Sequence, residues 1–438
     1  MKKIISLILI AVFCMGLFSC MPNLKRFVVG YGADAPELTD EILNDPAFLK
    51  FINKVNKFAI NMTESVADSE KDENFSIASP ALIMSLAVAC ESASGETREE
   101  ILTALGVTYD ELKAYIGYYY ALCNTDFEYV DDAGHSNTYA HEILASSVWI
   151  SEGNRYTAEG VRSLNEAFNC DVYSISFSNG NAKTLINQYV KYKSHNAIKE
   201  NIDISRSSVL AIASAYHLSE LWNGLDKSLT ITLENYDFTN TDGSVVKKQL
   251  LKSEYTGGVT YNAGKYTSFY IETVDGYKLH FILPSPANSL KEVFTPSTIS
   301  KVLSIKDYHH IDDASKEINY TRVIFPELNV SFDEDISPYL EKDFGIKKLF
   351  NADKCELGGL LGGKAHLASL AHQSALRVDA KGIEGSPIPL PHFQKDETEI
   401  DGYTKIYHDY VINRAFGFVL EDPDGIILYI GEVNQLKK

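Results

Sequence analysis

Apolar residues recur at helical spacing in the first quarter of the chain. Between residues 48 and 66 they are mostly three or four positions apart, which is the period of one face of a helix. Pro80 fits the first turn of a helix and precedes a largely apolar run over residues 81–90. Residues 96–105 repeat the helical pattern. The sequence therefore predicts three helices in this part of the chain.

The middle and the end of the chain are rich in β-forming residues instead. Short runs of such residues, separated by Gly, Asn and Asp, cover residues 231–238, 245–251, 259–261, 267–273 and 279–283. Asn-Thr-Asp-Gly at 240–243 predicts a hairpin turn, and Pro423-Asp424-Gly425 predicts a second hairpin between residues 416–420 and 425–433. Helices followed by strands, without regular alternation, predict an α+β fold.

The amino terminus has the order of a secretory signal, because two lysines precede an apolar run over residues 4–18. That run is shorter than the roughly 20 residues that a membrane-spanning helix needs. It closes with Leu-Phe-Ser-Cys at 17–20, which resembles the lipid-attachment motif of bacterial lipoproteins. We therefore expect residues 1–20 to be a lipoprotein signal peptide, with a plain cleaved signal as the alternative. The chain would be secreted across the inner membrane and lipid-anchored in the cell envelope, at its surface, through Cys20.

Proline and glycine interrupt any periodicity over residues 21–40, which predicts a tether. The apolar fraction of 45% and the aromatic fraction of 11% are typical of a folded protein. We therefore expect a single domain over residues 41–438.

Charge and cysteine spacing exclude several partners. With 59 acidic and 40 basic residues the net charge is -19, which argues against a nucleic-acid surface. Outside the signal, Cys90, Cys123, Cys170 and Cys355 are widely separated and form no CxxC pair. This spacing favours free thiols over disulfides, and it disfavours a zinc site. We expect no metal and no cofactor.

Three short motifs suggest an enzyme, and each lacks an essential part. The glycine-rich stretch at 358–365 has Ala where a phosphate-binding loop needs a hydroxyl. Ser-Val-Val-Lys at 244–247 follows a turn instead of opening a helix, and the partner motifs of penicillin-recognising enzymes are absent. His309 and His310 are adjacent, so in a strand they would face opposite ways. We therefore predict that the chain is not an enzyme.

Several short motifs occur in a fixed order along the chain. The first half contains Ser-Pro at 79–80, Gly-Glu-Thr at 95–97, and Ile-Asn-Gln-Tyr-Val at 186–190. The middle contains Ser-Ala-Tyr-His-Leu at 214–218 before Trp222, and later Phe-Gly-Ile at 344–346 and Ala-His-Gln-Ser-Ala at 371–375. The end contains Asn-Arg-Ala-Phe at 413–416 and Ile-Leu-Tyr-Ile-Gly-Glu-Val at 427–433. Each motif alone is weak, but in their shared order, over residues 45–435, they resemble the motifs of the serpin family.

The resemblance implies a serpin-like α+β fold with a helical N-terminal part, a large central mixed β-sheet and further sheets. An exposed reactive loop would lie near the C-terminus, at about residues 382–410. In serpins a target protease attacks this loop and is trapped when the cut loop inserts into the main sheet as a new strand. The chain would then be a monomeric serine-type endopeptidase inhibitor acting as a suicide substrate, without a catalytic residue. Trp222 and His372 match residues of the region where the serpin sheet opens.

The same resemblance assigns the hinge of the loop to Lys381, Gly382, Ile383, Glu384, Gly385, Ser386 and Pro387. Gly382 and Glu384 match the family pattern. Ile383 replaces a small hydroxyl residue, and Pro387 and Pro389 lie where the family has alanines.

These departures leave a second interpretation open. Strand side chains alternate with a period of two, so Ile383, Gly385, Pro387, Pro389 and Pro391 would share one face of an inserted loop. In inhibitory serpins that face is small. Each proline also lacks the N–H that a central strand must donate. The alternative is therefore a non-inhibitory serpin-fold surface or binding protein, whose prolines stiffen an exposed loop.

The loop length of the family places the scissile bond among Phe393, Gln394, Lys395 and Asp396. Lys395 would suit a trypsin-like serine protease, whose pocket carries a carboxylate. Phe393 would suit a chymotrypsin-like or a papain-like cysteine protease. The composition of residues 394–401 fits a solvated acidic loop equally well.

Overall fold

The computed structural model describes residues 24–69, 72–130, 136–178, 181–198, 204–222, 229–256, 261–273, 275–305, 311–312, 317–362, 365–383 and 404–437. Several predicted positions lie outside these ranges: Cys20, the hinge residues Glu384, Gly385, Ser386 and Pro387, and the cleavage-site candidates Phe393, Gln394, Lys395 and Asp396.

The α-helices are concentrated in the first half of the chain. They are α1 (Asp40–Leu43), α2 (Pro46–Ser69), α3 (Ser79–Ser92), α4 (Gly95–Leu105), α5 (Tyr109–Leu122), α6 (Ala158–Ala167), α7 (Asn181–Lys193), α8 (Leu290–Val293), α9 (Pro296–Leu303) and α10 (Ser337–Asp343). The three helices predicted from periodicity are confirmed as α2, α3 and α4. Every residue of α3 is buried, so this helix lies at the centre of the core.

The largest sheet has mixed strand directions. Its strands are β1 (Val28–Gly30), β3 (Asp126–Val130), β4 (Ser136–Ser151), β5 (Cys170–Ile175), β6 (Leu210–Leu221), β16 (Leu328–Asp335), β17 (Ala371–Val378) and β18 (Gly382–Ile383). The spatial order is β1-β5-β4-β6-β18-β17-β16, and β3 also pairs with β4. We call this the main sheet. The two-residue strand β18 therefore occupies a position between two much longer strands.

Two further sheets and a hairpin complete the fold. One sheet has the order β11-β12-β13-β20-β21-β2, and the other has the order β14-β15-β10-β7 with β19 beside β15. Their strands are β2 (Phe75–Ala78), β7 (Thr230–Ile231), β10 (Leu251–Thr256), β11 (Tyr261–Asn262), β12 (Tyr266–Glu272), β13 (Lys278–Pro284), β14 (Ile311–Asp312), β15 (Glu317–Phe325), β19 (Thr404–Val411), β20 (Phe416–Glu421) and β21 (Ile427–Val433). The hairpin consists of β8 (Tyr236–Thr239) and β9 (Val245–Lys248).

The predicted turns are confirmed, but two predicted strands are wrong in extent. The turn at 240–243 joins β8 to β9, with Gly243 at φ 81°. Residues 231–238 were predicted as one strand, yet they divide between β7 and β8, which belong to different sheets. Residues 245–251 divide in the same way between β9 and β10. A local β pattern does not reveal where the chain changes its pairing partner.

Part of the predicted tether lies on the domain. Within residues 21–40, a short 3-10 helix covers Leu24–Phe27, and β1 pairs antiparallel with β5 at the edge of the main sheet. Val28 and Val29 supply the β-branched residues that favour a strand.

The four cysteines of the domain are free thiols, as predicted. Cys90, Cys123 and Cys170 are buried, and Cys355 is half-buried. Over the ranges given above, no helix combines the length and the apolar character needed to cross a membrane.

Candidate functional site

The chain reverses sharply at the end of β17. The Asp379 Oδ1 accepts hydrogen bonds from the N–H of Lys381 at 2.7 Å and from the N–H of Gly382 at 3.2 Å. The Asp379 N–H donates to the Gly382 carbonyl at 3.0 Å. Aspartate commonly stabilises turns by bonding to the backbone two residues on. This turn feeds Gly382 and Ile383 back into the main sheet as β18.

β18 is antiparallel to both of its neighbours. Ile383 pairs with Val378 of β17 and with Glu220 of β6, and Gly382 pairs with Leu221. The side chain of Ile383 is 0% exposed and belongs to the main hydrophobic core. In the sequence, the bulk of Ile383 is one ground for the alternative of a loop that does not insert. The main sheet accommodates this side chain between β6 and β17.

Gly382 lies too close to β6 to carry a side chain. A Cβ added to Gly382 would be 2.0 Å from the Glu220 carbonyl oxygen, far inside van der Waals contact. The backbone of β18 can therefore lie in this position only if residue 382 is glycine.

Substitution of that glycine should expel the hinge from the sheet. We expect Gly382→Ala to lower the free energy of unfolding by about 2–4 kcal/mol, because the buried Ile383 side chain and its backbone hydrogen bonds would be lost. Chemical denaturation measures the change. Lys381→Ala, at the exposed neighbouring position, is the matched control and should change stability by less than about 0.5 kcal/mol. Equal unfolding midpoints for Gly382→Ala and the parent would contradict the tight fit.

Trp222 fastens the turn to the end of β6. Its Nε1 donates to the Asp379 carbonyl at 2.8 Å, and its backbone N–H donates to the Lys381 carbonyl at 3.4 Å. Trp222 also pairs with Thr273, so it connects the main sheet to the end of β12. The side chain of Trp222 is 2% exposed, so it also packs in the core.

A carboxyl group is buried beside the hinge. Glu220 is 0% exposed, and neither of its carboxylate oxygens has a hydrogen-bond partner within the described ranges. Burial raises the pKa of Glu220 to about 9, and the nearby Asp275 carboxylate adds to the rise. The group is therefore neutral at pH 7 while β18 lies in the sheet.

His372 lies in a different part of the main sheet from Trp222. It is six residues from the hinge end of β17, which is about 20 Å along a strand. The N–H of Ala78 donates to His372 Nε2 at 3.2 Å, and burial lowers the pKa of His372 to about 4. The histidine is therefore neutral, and it connects β17 to the start of α3.

Serine side chains make similar connections across the back of the main sheet. Ser374 donates to the Ser76 carbonyl, and the Oγ atoms of these two serines are 3.0 Å apart. Ser214 of β6 accepts from Ser85 of α3 at 2.9 Å, and its Oγ is 2.9 Å from that of Ser146. Hydroxyls can exchange partners when strands shift, so this layer suits a sheet that changes its strand spacing.

The hinge geometry fixes which neighbour each residue of a longer β18 would bond to. Lys381 accepts from Trp222 on the β6 side, whereas Gly382 accepts from Asp379 on the β17 side. In an antiparallel strand the N–H and C=O of one residue point to the same neighbour, and the direction alternates along the strand. Odd-numbered residues after 381 would therefore bond to β6, and even-numbered residues would bond to β17.

Sequence reasoning located the hinge and Trp222, but it missed the Asp379 turn, the buried Glu220 and the serine layer. Aspartate at 379 followed by glycine at 382 is a turn signal in the sequence, and it could have predicted the chain reversal after β17. Nothing local distinguishes Glu220 from an exposed strand residue, and the serine layer depends on contacts between distant elements.

Comparison with known proteins accounts for this arrangement. The family model described as Serpin (serine protease inhibitor) matches residues 53–436. "Serpin-Z10" of Arabidopsis thaliana is 23% identical over 412 residues, which cover 88% of this chain and 97% of that protein. "Probable non-inhibitory serpin-Z9" of Oryza sativa subsp. japonica is 21% identical over 405 residues, which cover 86% and 84%. The crystal structure of the thermophilic serpin tengpin in the native state is 18% identical, covers 94% of this chain and 99% of its own, and superimposes with a TM-score of 0.72. The family model spans nearly the whole domain, and the chain therefore belongs to the serpin family.

Proposed function

We propose that this serpin inhibits a target protease as a suicide substrate, through a reactive loop that begins at the hinge and inserts into the main sheet. The observation that carries the proposal is the position of β18 between β6 and β17. Within the described ranges, no strand pairing joins β6 directly to β17. A strand that continued β18 would therefore have a neighbour on each side.

The two ends of the loop belong to different sheets. β18 lies in the main sheet, while β19 pairs parallel with β15 in another sheet. Arg322 of β15 and Asp409 of β19 form a two-bond ion pair that fastens the second end. While residues 384–403 are intact, they connect these two fixed points. Cleavage within them would release the β18 side to extend along β6 and β17.

The proposed chemistry uses the catalytic group of the protease. Its serine or cysteine attacks the scissile carbonyl, the peptide bond breaks, and the new amino terminus leaves with a proton. An ester or thioester then joins the loop to the protease. Insertion must be faster than hydrolysis of this bond for inhibition to result. Phe393, Gln394, Lys395 and Asp396 are the proposed positions of the scissile bond.

A protease challenge tests the proposal. The protein without its signal is incubated separately with trypsin, chymotrypsin, elastase and papain, and the products are separated on denaturing gels. We expect a complex that survives boiling in detergent, together with a short carboxy-terminal fragment. Mass spectrometry of that fragment identifies the scissile bond. Loop cleavage by all four proteases with full residual protease activity and no complex would contradict inhibition of those enzymes.

A second candidate is a non-inhibitory serpin-fold surface or binding protein. It is favoured by Pro387, Pro389 and Pro391, which all have the odd parity that would bond to β6. Such a loop would be cut as an ordinary substrate. Heat stability separates the candidates, because an inserted strand should raise the unfolding temperature of the cleaved protein and an uninserted loop should not.

We also propose that the protein acts as a monomer at the cell surface, secreted across the inner membrane and anchored through a lipid on Cys20. The partners would be the target protease, serine-type or papain-like, and the membrane. The net charge of -19 argues against nucleic acid.

A further inference from the structure

The amino-terminal segment and the hinge lie at opposite ends of the main sheet. Val28 pairs with Tyr173, Tyr173 pairs with Trp149, and Trp149 pairs with Ala211 near the start of β6. The hinge residue Gly382 pairs with Leu221 at the other end of β6. Ten strand residues separate these two levels, which corresponds to about 33 Å.

The chain enters the domain at the end remote from the hinge. β1 is antiparallel to β5, and β5 is parallel to β4. Residues Leu24–Phe27 therefore lie beyond the start of β6. Leu24 and Phe27 of the 3-10 helix pack against a buried cluster that includes Trp149 and Tyr173. This packing fixes the segment to that end of the domain, which we call the entry pole.

Little chain separates the entry pole from the proposed lipid. Cys20 precedes Leu24 by four residues. Since an extended chain covers at most about 3.5 Å per residue, the lipid-bearing residue can lie no more than about 14 Å from Leu24. A domain attached so closely has one end held at the bilayer.

The part of the entry pole next to the amino-terminal segment carries mainly basic exposed side chains. Lys25 and Arg26 are exposed on the 3-10 helix, and Arg206 is exposed in the turn that leads into β6. Glu152, at the end of β4, is an exposed acidic residue at the same level. Exposed acidic residues also end β16 on the opposite edge of the main sheet, namely Asp333, Glu334 and Asp335. The net charge of -19 would repel an anionic surface, and the repulsion acts over a Debye length of about 8 Å. Basic side chains at the contact would reduce that repulsion and attract anionic headgroups.

We propose that the entry pole is a membrane-facing surface that contacts the headgroups of anionic phospholipids, so that the hinge and the reactive loop are presented away from the membrane. The proposal rests on the proposed lipid attachment at Cys20.

Energy transfer to the membrane tests this orientation. The full lipidated chain, carrying Cys355→Ser, is bound to vesicles of phosphatidylcholine and phosphatidylglycerol that contain an acceptor-labelled lipid. One variant carries a donor dye at Ser178→Cys, just beyond β5 at the entry pole. The other carries it at Asn235→Cys, six residues after Leu229, whose N–H donates to the hinge carbonyl of Ala380 at 2.6 Å. Both positions are exposed.

We expect much stronger transfer from position 178 than from position 235. Equal transfer, or stronger transfer from position 235, would overturn the orientation. Flotation of the vesicles is measured on the same samples, and a chain that fails to float would overturn the lipid anchor and the orientation with it. Failure of the protease challenge with the difference in transfer retained would overturn inhibition alone.

Charge reversal tests the headgroup contact separately. Lys25→Glu with Arg26→Glu should reduce transfer from position 178 on anionic vesicles and leave it unchanged on pure phosphatidylcholine. Lys252→Glu with Lys381→Glu, two lysines beside the hinge at the opposite end of the main sheet, is the matched control and should change neither. An unchanged signal for the first pair on anionic vesicles would overturn the headgroup contact.

Discussion

Replacing Pro387, Pro389 and Pro391 together with alanine is expected to increase the heat stabilisation that follows cleavage of the loop. The register of β18 aligns these positions with Tyr216, Ser214 and Ile212 of β6. All three have the odd parity that bonds to β6, so proline at each would leave one β6 carbonyl without its N–H donor. Alanine would supply the three missing donors.

The expected size of this effect follows from the cost of unpaired groups. A buried carbonyl without a donor costs about 1–3 kcal/mol, so three of them correspond to roughly 3–9 kcal/mol in the inserted form. The uncut protein should change much less, because the loop would not yet lie in the sheet. Calorimetry of the intact and the loop-cleaved protein, for the parent and the triple variant, measures both quantities.

The even positions of the same segment provide the control. Ser386→Ala, Ile388→Ala and Leu390→Ala change three residues whose N–H groups would point to β17 and are present in the parent. We expect this variant to gain no such stabilisation on cleavage. If both triple variants gain equally, the parity argument is wrong; if neither gains, the loop does not insert beyond Ile383.

The same substitution should change the outcome of protease attack. Slow insertion allows the protease to hydrolyse the acyl bond and leave, so a proline-rich loop favours the substrate pathway. The alanine variant should form more detergent-stable complex per loop cleaved than the parent does. The prolines would then set the balance between the two candidate functions, on a scaffold that is otherwise that of a serpin.

The outline of the fold was predictable from the sequence because its helices are defined locally. The spacing of Phe51, Val55 and Phe58 determines one buried face of α2, and Pro80 begins α3 without help from distant residues. The division of residues 231–238 between two sheets was not predictable. It depends on pairing with β9 and β10, which lie later in the chain.

The hinge also shows that contacts with distant parts of the chain cannot be predicted from a local motif. Its residues were found by motif, but the sequence left open whether the Ile383 side chain fits into the main sheet. The space available to that side chain is set by β6 and β17, which belong to distant parts of the sequence. Trp222 and His372 were placed in one region because of the family resemblance, although they lie at separate levels of the main sheet. A motif shows which family position a residue occupies. The neighbours of that residue in the fold depend on the strand register, which a motif does not give.

The parent should lose a large part of its unfolding free energy as the pH rises, and Glu220→Gln is expected to remove that loss. An unfolded glutamate has a pKa of 4.5, whereas burial raises the pKa of Glu220 to about 9 in the folded protein. Between these values the unfolded chain releases the proton and the folded protein keeps it, so stability falls as pH rises. The full window corresponds to as much as about 6 kcal/mol. The stabilising contribution is complete below pH 4.5 and is lost as the pH rises to about 9.

Comparison of the parent with Glu220→Gln from pH 7 to pH 9 separates Glu220 from the other buried carboxyls, whose contributions are common to both proteins. Burial raises the pKa of Glu142 to about 7, so its contribution to the slope is largely complete there. Relative to Glu220→Gln, the parent should lose about 2 kcal/mol of unfolding free energy over this interval. Denaturant titrations at pH 7, 8 and 9 measure the difference, and Glu234→Gln, at an exposed position, should behave as the parent does. Parallel stability curves for the parent and Glu220→Gln would show that Glu220 is ionised beside the hinge. In that case the carboxylate would already be solvated, and β18 would not be seated against β6 in solution.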